Sequence, residues 1–208
     1  MTGVSAIVLA AGAGTRFGGG KLLAPFAGRT LIGVALAGLR EAPVDEIIVV
    51  AGEQAEELRG VGESYGVRVV ENPDWEEGMS TSVRAGLAAT QPGTRAAVVL
   101  LADQPLVGPE AVARLVAAFE NGSDVAVATY DGAPRNPVVL SREVWPLLEE
   151  ELSGDEGARG FIRGHPELVT RVPCDGVADP ADVDTVEDLD RLEERAARWA
   201  APEQRRST

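Results

Sequence analysis

Short β-branched apolar runs alternate with helical stretches from Ser5 to Tyr130, and that rhythm limits the fold more than any other feature of the chain. Ser5 to Ala11, Glu46 to Ala51, Val67 to Glu71, Ala96 to Ala102 and Asp124 to Tyr130 read as strands. They are short and mostly apolar, as parallel strands covered on both faces must be. Between them Thr30 to Glu41, Gln54 to Arg59, Ser80 to Thr90 and Pro109 to Glu120 read as helices, the last with proline in its first turn. The alternation predicts α/β architecture: one three-layer domain around a mainly parallel, Rossmann-like central sheet. Ala96 to Ala102, the most apolar run, is expected at the centre of the sheet.

After Tyr130 the rhythm changes. Pro134 and Pro137 bracket a segment expected to be irregular, with a short strand over Pro137 to Leu140. Helices are predicted over Arg142 to Leu152 and Glu156 to Arg163, and a strand over Leu168 to Pro173. A last helix over Thr185 to Trp199 opens on Thr185 with Asp188 three residues on, an N-cap pattern. The domain is expected to fill residues 1–201, and the polar residues 202–208 are expected to be disordered.

Composition narrows the functional classes. A net charge of −14 over 208 residues repels phosphate backbones and anionic lipid, so neither nucleic acid nor membrane is an expected partner. The longest apolar run is far short of the roughly 20 residues that a membrane span needs. One cysteine, Cys174, precludes an intrachain disulfide and suits a reducing, cytoplasmic compartment. One histidine, His165, leaves too few ligands for a Cys/His zinc site.

The most informative stretch follows the first strand: Leu9-Ala10-Ala11-Gly12-Ala13-Gly14-Thr15-Arg16-Phe17-Gly18-Gly19-Gly20-Lys21. Ligands of α/β folds collect at this end of the strands. Glycines let backbone amides approach a phosphate, and Arg16 and Lys21 supply positive charge to an acidic protein. A dinucleotide fingerprint fails because Phe17 stands where the third glycine belongs, and Glu53 is too distant to be its acid. A P-loop fails because Leu22, not Ser or Thr, follows Lys21. The alternative is a plain flexible linker, which the two cations argue against.

This loop resembles the L-A-A-G-x-[SG]-x-R-x-G-x-x-K signature of the molybdenum-cofactor nucleotidyltransferase family. The resemblance extends from about Ser5 to Leu192. It implies binding of a nucleoside triphosphate by Leu9, Ala10, Ala11, Gly12, Gly14 and Thr15 with Arg16 and Lys21, both also taken as catalytic. The Leu-Ala-Ala-Gly start resembles the cytidylyltransferase branch and implies CTP.

Leu101-Ala102-Asp103-Gln104-Pro105 ends the central run and matches the family's D-Q-P, whose aspartate is a metal ligand. Asp103 is thereby implied to be catalytic and to hold Mg²⁺; the alternative is an aspartate capping a turn before Pro105. Asp182-Val183-Asp184-Thr185-Val186-Glu187-Asp188-Leu189 resembles a late family segment, with Val186 in place of proline. It offers Asp184, or in reserve Asp182, as a second metal ligand. The same residues could instead stabilise a helix start.

Trp75 to Leu87 resembles a family segment that lines the base and ribose, onto which Gly78, Ser80 and Ser82 map; Ser80 could equally be an N-cap. Gly132 to Leu140 resembles the acceptor-side segment, with Asn136 in place of histidine. Gly154 to Arg159 matches G-D-x-G-A-R, and Arg159 with Asn136 is implied to meet an anionic phosphorylated acceptor. Arg159 could also be a structural surface residue.

The implied reaction is attack by an acceptor phosphate on the α-phosphorus of CTP with loss of pyrophosphate. A phosphate nucleophile is already ionised near neutral pH, which suits a chain with one histidine outside every motif. The implied acceptor is a molybdopterin-type cofactor, with a molybdenum hydroxylase as a possible protein partner. Alternatives are another phosphorylated acceptor, an NAD(P)H-dependent reductase of the nicotine-blue type, and a non-catalytic insertion factor. Hydrolase chemistry is disfavoured because Gly78-Met79-Ser80-Thr81-Ser82 lacks the final glycine of a nucleophile elbow.

Overall fold

The computed structural model describes residues 2–200, so the expectation for 202–208 lies outside the described residues. Among the described residues no helix is long and apolar enough to cross a membrane. Seven strands form the main sheet: β1 (Val4–Ala10), β4 (Glu46–Ala51), β5 (Arg68–Glu71), β6 (Ala96–Leu101), β7 (Val125–Tyr130), β8 (Ala133–Ser141) and β9 (Val169–Pro173). Their order is β5-β4-β1-β6-β8-β7-β9, with β6 in the middle as its apolar run requires. β8 alone runs against its neighbours; every other pairing is parallel.

Helices cover both faces. On one face α1 (Leu31–Leu39), α2 (Ala55–Tyr65), α4 (Pro109–Glu120) and α7 (Val186–Ala200) pack over Val8, Val98 and Ala126. On the other, α3 (Met79–Ala88), α5 (Trp145–Glu151) and α6 (Arg159–Gly164) pack over Ile7, Val99 and Val127. The period-two alternation along each strand thus divides one apolar run between two cores. A fully buried Val or Leu contributes about 1.5–3 kcal/mol, so this two-sided burial outweighs the weak intrinsic preferences of the strands.

Two expectations need correction. The segment bracketed by Pro134 and Pro137 is not irregular; it belongs to the strand Ala133–Ser141, which inserts between β6 and β7. The register shifts opposite Val127 and Ala128, so Asn136 and Pro137 fall in a bulge. Proline has no N–H for a ladder, and a bulge is where a sheet tolerates it. The second correction is a small hairpin that the periodicity did not reveal, β2 (Pro25–Phe26) with β3 (Arg29–Thr30). Ala27 and Gly28 both have positive φ, the geometry of a tight two-residue turn. The Ala27 amide donates to Glu193 on α7 at 2.7 Å, tying the hairpin to the last helix. The helix expected over Gln54 to Arg59 also runs further, to Tyr65, because Leu58 and Gly62 continue its buried face.

His165 follows α6 and lies 2.9 Å from Glu151 of α5 and 3.3 Å from Glu167. Hydrogen bonding to Glu151 first, and then to Glu167, raises its pKa, against some desolvation. The sign follows: this clasp adds stability below the unfolded pKa of histidine and loses it as pH rises through the higher folded value. Since His165 is the sole histidine, its ring proton resonance should titrate with a midpoint above about 6.5 and move down in Glu151→Gln. A midpoint at or below the model-peptide value would contradict the contact. Cys174 is fully buried in the core on the opposite face of the sheet, so it forms no dyad with His165.

Candidate active site

β1 ends at Ala10, and the chain passes through Gly12 and Gly14 into a 3-10 turn at Thr15–Phe17. The backbone amides of Gly12, Ala13 and Gly14 have no acceptor among the described residues. Such amides at a strand's carboxyl end are available to an anion. Gly14 adopts φ +60°, and a Cβ there would sit 3.3 Å from the Lys21 Cβ. The glycine therefore lets the far end of the loop fold back on its start. Leu22 is buried and anchors that end, so the Lys21 side chain is only 12% exposed.

Three separate segments meet here. Lys21 Nζ donates to Asp103 Oδ2 at 2.7 Å and lies 3.8 Å from Asp184 Oδ1. Arg16 lies 2.9 Å from Asp184 Oδ2. The Arg16 side chain is 75% exposed, so that pair is worth well under about 1 kcal/mol to the fold. Stability alone is a weak reason for Arg16 to be there.

The carboxylates are positioned from behind. The Val183 amide donates to the Asp103 carbonyl at 2.9 Å, joining the late segment to the end of β6. Asp188 Oδ2 accepts from the amides of Asp184 (3.2 Å) and Thr185 (3.0 Å), while the Asp188 amide donates to Thr185 Oγ1 (3.2 Å). Desolvation works the other way, but these hydrogen bonds hold the Asp188 carboxyl below the usual carboxylate range. Thr185 and Asp188 cap α7, and the Asp184 carboxylate faces Lys21 and Arg16 instead.

Gln104 is a residue whose position the sequence reading missed. It is buried, and its Nε2 donates to Asp182 Oδ1 at 2.8 Å and to the Pro180 carbonyl at 3.0 Å. The surrounding protein and the neighbouring charge of Asp103 raise the Asp182 pKa, opposed by the Gln104 hydrogen bond.

The Gly78 segment packs closely against a turn from far along the chain, and its Met79 and Val83 line the cavity described below. Gly78 has φ +112°, and a Cβ would fall 2.6 Å from the Gly154 carbonyl. It is the seat on which the Gly154–Glu156 turn rests. Ser80 is not the N-cap of α3; Gly78 occupies that position without a side-chain bond, and Thr81 Oγ1 donates back to the Gly78 carbonyl at 2.9 Å. Ser80 and Ser82 are buried, and Ser82 Oγ accepts from Asn72 at 3.0 Å.

Beside this cluster, on the α3 and α6 side of the sheet, lies a cavity of about 450 Å³. Leu9 and Leu101, the neighbours of the glycine loop and of Asp103, form one end of it. Asn136 and Arg159 both line it, joined by Arg135, Arg163 and Arg171. The structure thus gathers the expected site residues into two adjoining groups: Arg16, Lys21, Asp103 and Asp184 at the loop, and Asn136 with Arg159 at the cavity. Gly78, Ser80 and Ser82 belong to neither.

The donor chemistry suits a hard divalent cation. Asp103 and Asp184 share one ammonium, and both offer carboxylate oxygens. Among the described residues no group of three or more His, Cys, Asp or Glu side chains could hold an ion by itself. A cation here would complete its shell with substrate phosphate and water, as Mg²⁺ does.

Residues 6–170 match the family model of the MobA-like NTP transferase domain. The chain belongs to that family. It is a nucleotidyltransferase-type enzyme, and its sheet matches solved relatives. A homologue of Rv0371c from Mycobacterium sp. strain JC1 superposes with a TM-score of 0.84 at 36% identity, covering 95% of this chain and 98% of the other. Rv0371c of Mycobacterium tuberculosis, solved in complex with manganese, gives 0.78 at 31% identity over 92% and 98%. A curated relative, nicotine blue oxidoreductase of Paenarthrobacter nicotinovorans, is 36% identical over 91% of this chain and 96% of its own.

Proposed function

We propose that this transferase moves CMP from CTP to a phosphate-bearing small molecule, a molybdopterin-type cofactor being the favoured acceptor, and releases pyrophosphate. The observation that carries the reading is the meeting of Arg16, Lys21, Asp103 and Asp184 at the open amides of the glycine loop, next to an arginine-lined cavity. The loop amides and the two cations bind the triphosphate and orient its α-phosphorus. An oxygen of the acceptor phosphate forms the new P–O bond, and the bond between the α-phosphorus and the bridging oxygen breaks. The acceptor is already ionised, so no general base is needed. Lys21 and Arg16 offset charge developing on the leaving pyrophosphate. Asp103 and Asp184 would hold Mg²⁺, which supplies further neutralisation of phosphate charge when bound. Asn136 and Arg159 orient the acceptor.

Gln104 enters this reading as a support for the metal ligands. In Gln104→Leu the 179–184 segment loses its side-chain bonds to Gln104 and keeps only backbone ties near the end of β6, and affinity for Mn²⁺, measured by electron paramagnetic resonance, should fall roughly 10–100-fold. Unchanged Mn²⁺ affinity in a folded variant would remove Gln104 from the site.

A second reading rests on the nicotine blue oxidoreductase relative: reduction of a dye of that kind by NAD(P)H. One assay separates the two. Pyrophosphate release is followed with Mg²⁺ and CTP, GTP or ATP, with and without isolated molybdopterin-type cofactor. Release that requires both CTP and the cofactor is expected. Silence with every triphosphate, together with NADPH oxidation by a quinone-like dye, would transfer the assignment to the reductase.

A further inference from the structure

We infer that the acceptor is an elongated, bifunctional anion: a phosphate at one end, an apolar body, and a second anionic group at the other end. This rests on the transfer reading for its phosphate end only. The cavity crosses five neighbouring strands, from Leu9 on β1, past Val99 on β6, Val138 on β8 and Val127 on β7, to Arg171 on β9. Strands lie about 4.8 Å apart, so the floor runs roughly 19 Å across the sheet, and Arg171 stands roughly 14 Å from β6.

The two ends differ in chemistry. Reaction chemistry belongs to the β1 and β6 end, where Asp103 and Lys21 meet. Arg171 stands at the far end. Arg171 is on the edge strand β9, paired with Val127 of the cavity floor, and Arg159 and Arg163 lie four residues apart on α6; Arg135, on β8, is only one strand from β6. Arg163 is paired with Glu156 at 2.7 Å, whereas Arg135, Arg159 and Arg171 meet no carboxylate among the described residues. The reacting phosphate does not reach Arg171 at that separation, so a second anionic group is the ligand that would meet it.

Between the ends the floor is aliphatic, formed by Leu9, Val99, Leu101, Val127 and Val138. Hydroxyls laid on such a surface lose water without gaining partners, which disfavours a polyol as the body and favours rings or hydrocarbon. The volume of about 450 Å³ is that of a small-molecule site, whose usual range is about 300–1,000 Å³.

The probes are two rigid phosphates, 4′-carboxybiphenyl-4-yl phosphate and biphenyl-4-yl phosphate, titrated calorimetrically into the full chain. The distal carboxylate should raise affinity roughly tenfold, and the gain should vanish in Arg171→Gln. Arg171 is exposed, so the fold should survive, which a melting curve checks. Equal affinities, no binding of either probe, or a carboxylate gain that persists in Arg171→Gln would overturn the inference. Transfer is scored separately by pyrophosphate release from CTP. Release without a carboxylate gain overturns this inference and leaves the transfer reading standing. A carboxylate gain without release from any triphosphate sinks the transfer reading and keeps the cavity as a site for a bifunctional anion.

Discussion

Asp103→Ala should lower the rate of CTP-dependent pyrophosphate release by roughly 10³-fold or more while the chain stays folded. That corresponds to about 4 kcal/mol of transition-state stabilisation. Asp103 stands at the carboxyl end of the central strand, and its carboxylate is 2.7 Å from the Lys21 ammonium. Its removal takes away one of two carboxylates available to a cation and frees Lys21 to swing toward Asp184, now 3.8 Å away. Because Asp184 remains as a partner, the ammonium is not stranded and the stability loss stays small. The Asp103 carbonyl, which receives the Val183 amide, is untouched by the substitution. Asp103→Asn is the companion variant: it keeps the shape and a hydrogen-bond acceptor but loses the charge, and should be nearly as slow. A near-normal rate in Asp103→Ala would remove this residue from the chemistry, and the proposed metal site with it.

Gly78→Ala should destabilise the chain by about 2–4 kcal/mol, combining an unfavourable backbone conformation with a collision. For a domain of this size each 1 kcal/mol moves the melting temperature by about 2–4 °C, so a drop of roughly 5–15 °C is expected. The reason is local and rigid. At φ +112° a side chain is strained, and the new Cβ would lie 2.6 Å from both the carbonyl carbon and oxygen of Gly154. Those are backbone atoms and cannot rotate away. Relief requires the Gly154–Glu156 turn to lift from α3, and Arg159 sits at the start of the helix that follows. The variant should therefore also weaken acceptor use. A melting temperature within a degree or two of the parent would mean that the close packing of this turn is dispensable.

Much of the layout was legible in the sequence because it depends on local rules. Apolar runs such as Glu46–Ala51 and Ala96–Leu101 are strands because period-two burial on both faces leaves no other use for them. Pro109 starts α4, and Thr185 with Asp188 caps α7, because those residue types satisfy helix ends. The glycine loop after the first strand was legible through its glycines and its two cations.

Other features depended on contacts between distant segments. Nothing local distinguishes Asp184 from Asp182; the cap at Asp188 and the bond from Val183 to Asp103 turn one toward Lys21 and leave the other to Gln104. The motif around Gly78 does not reveal that Gly154, far along the chain, rests against it. The bulge at Asn136 and Pro137 arises only because β8 is inserted between β6 and β7, a pairing that two prolines seemed to forbid. Arg135, Arg159 and Arg171 look like unrelated surface charges until the sheet order and α6 bring them around one cavity. The sequence alone determined which segments become strands, helices and the glycine-rich loop, since propensity, periodicity and capping act over a few residues. Only the tertiary structure decided which carboxylates meet which cations, because that choice is made by packing between residues far apart in the chain.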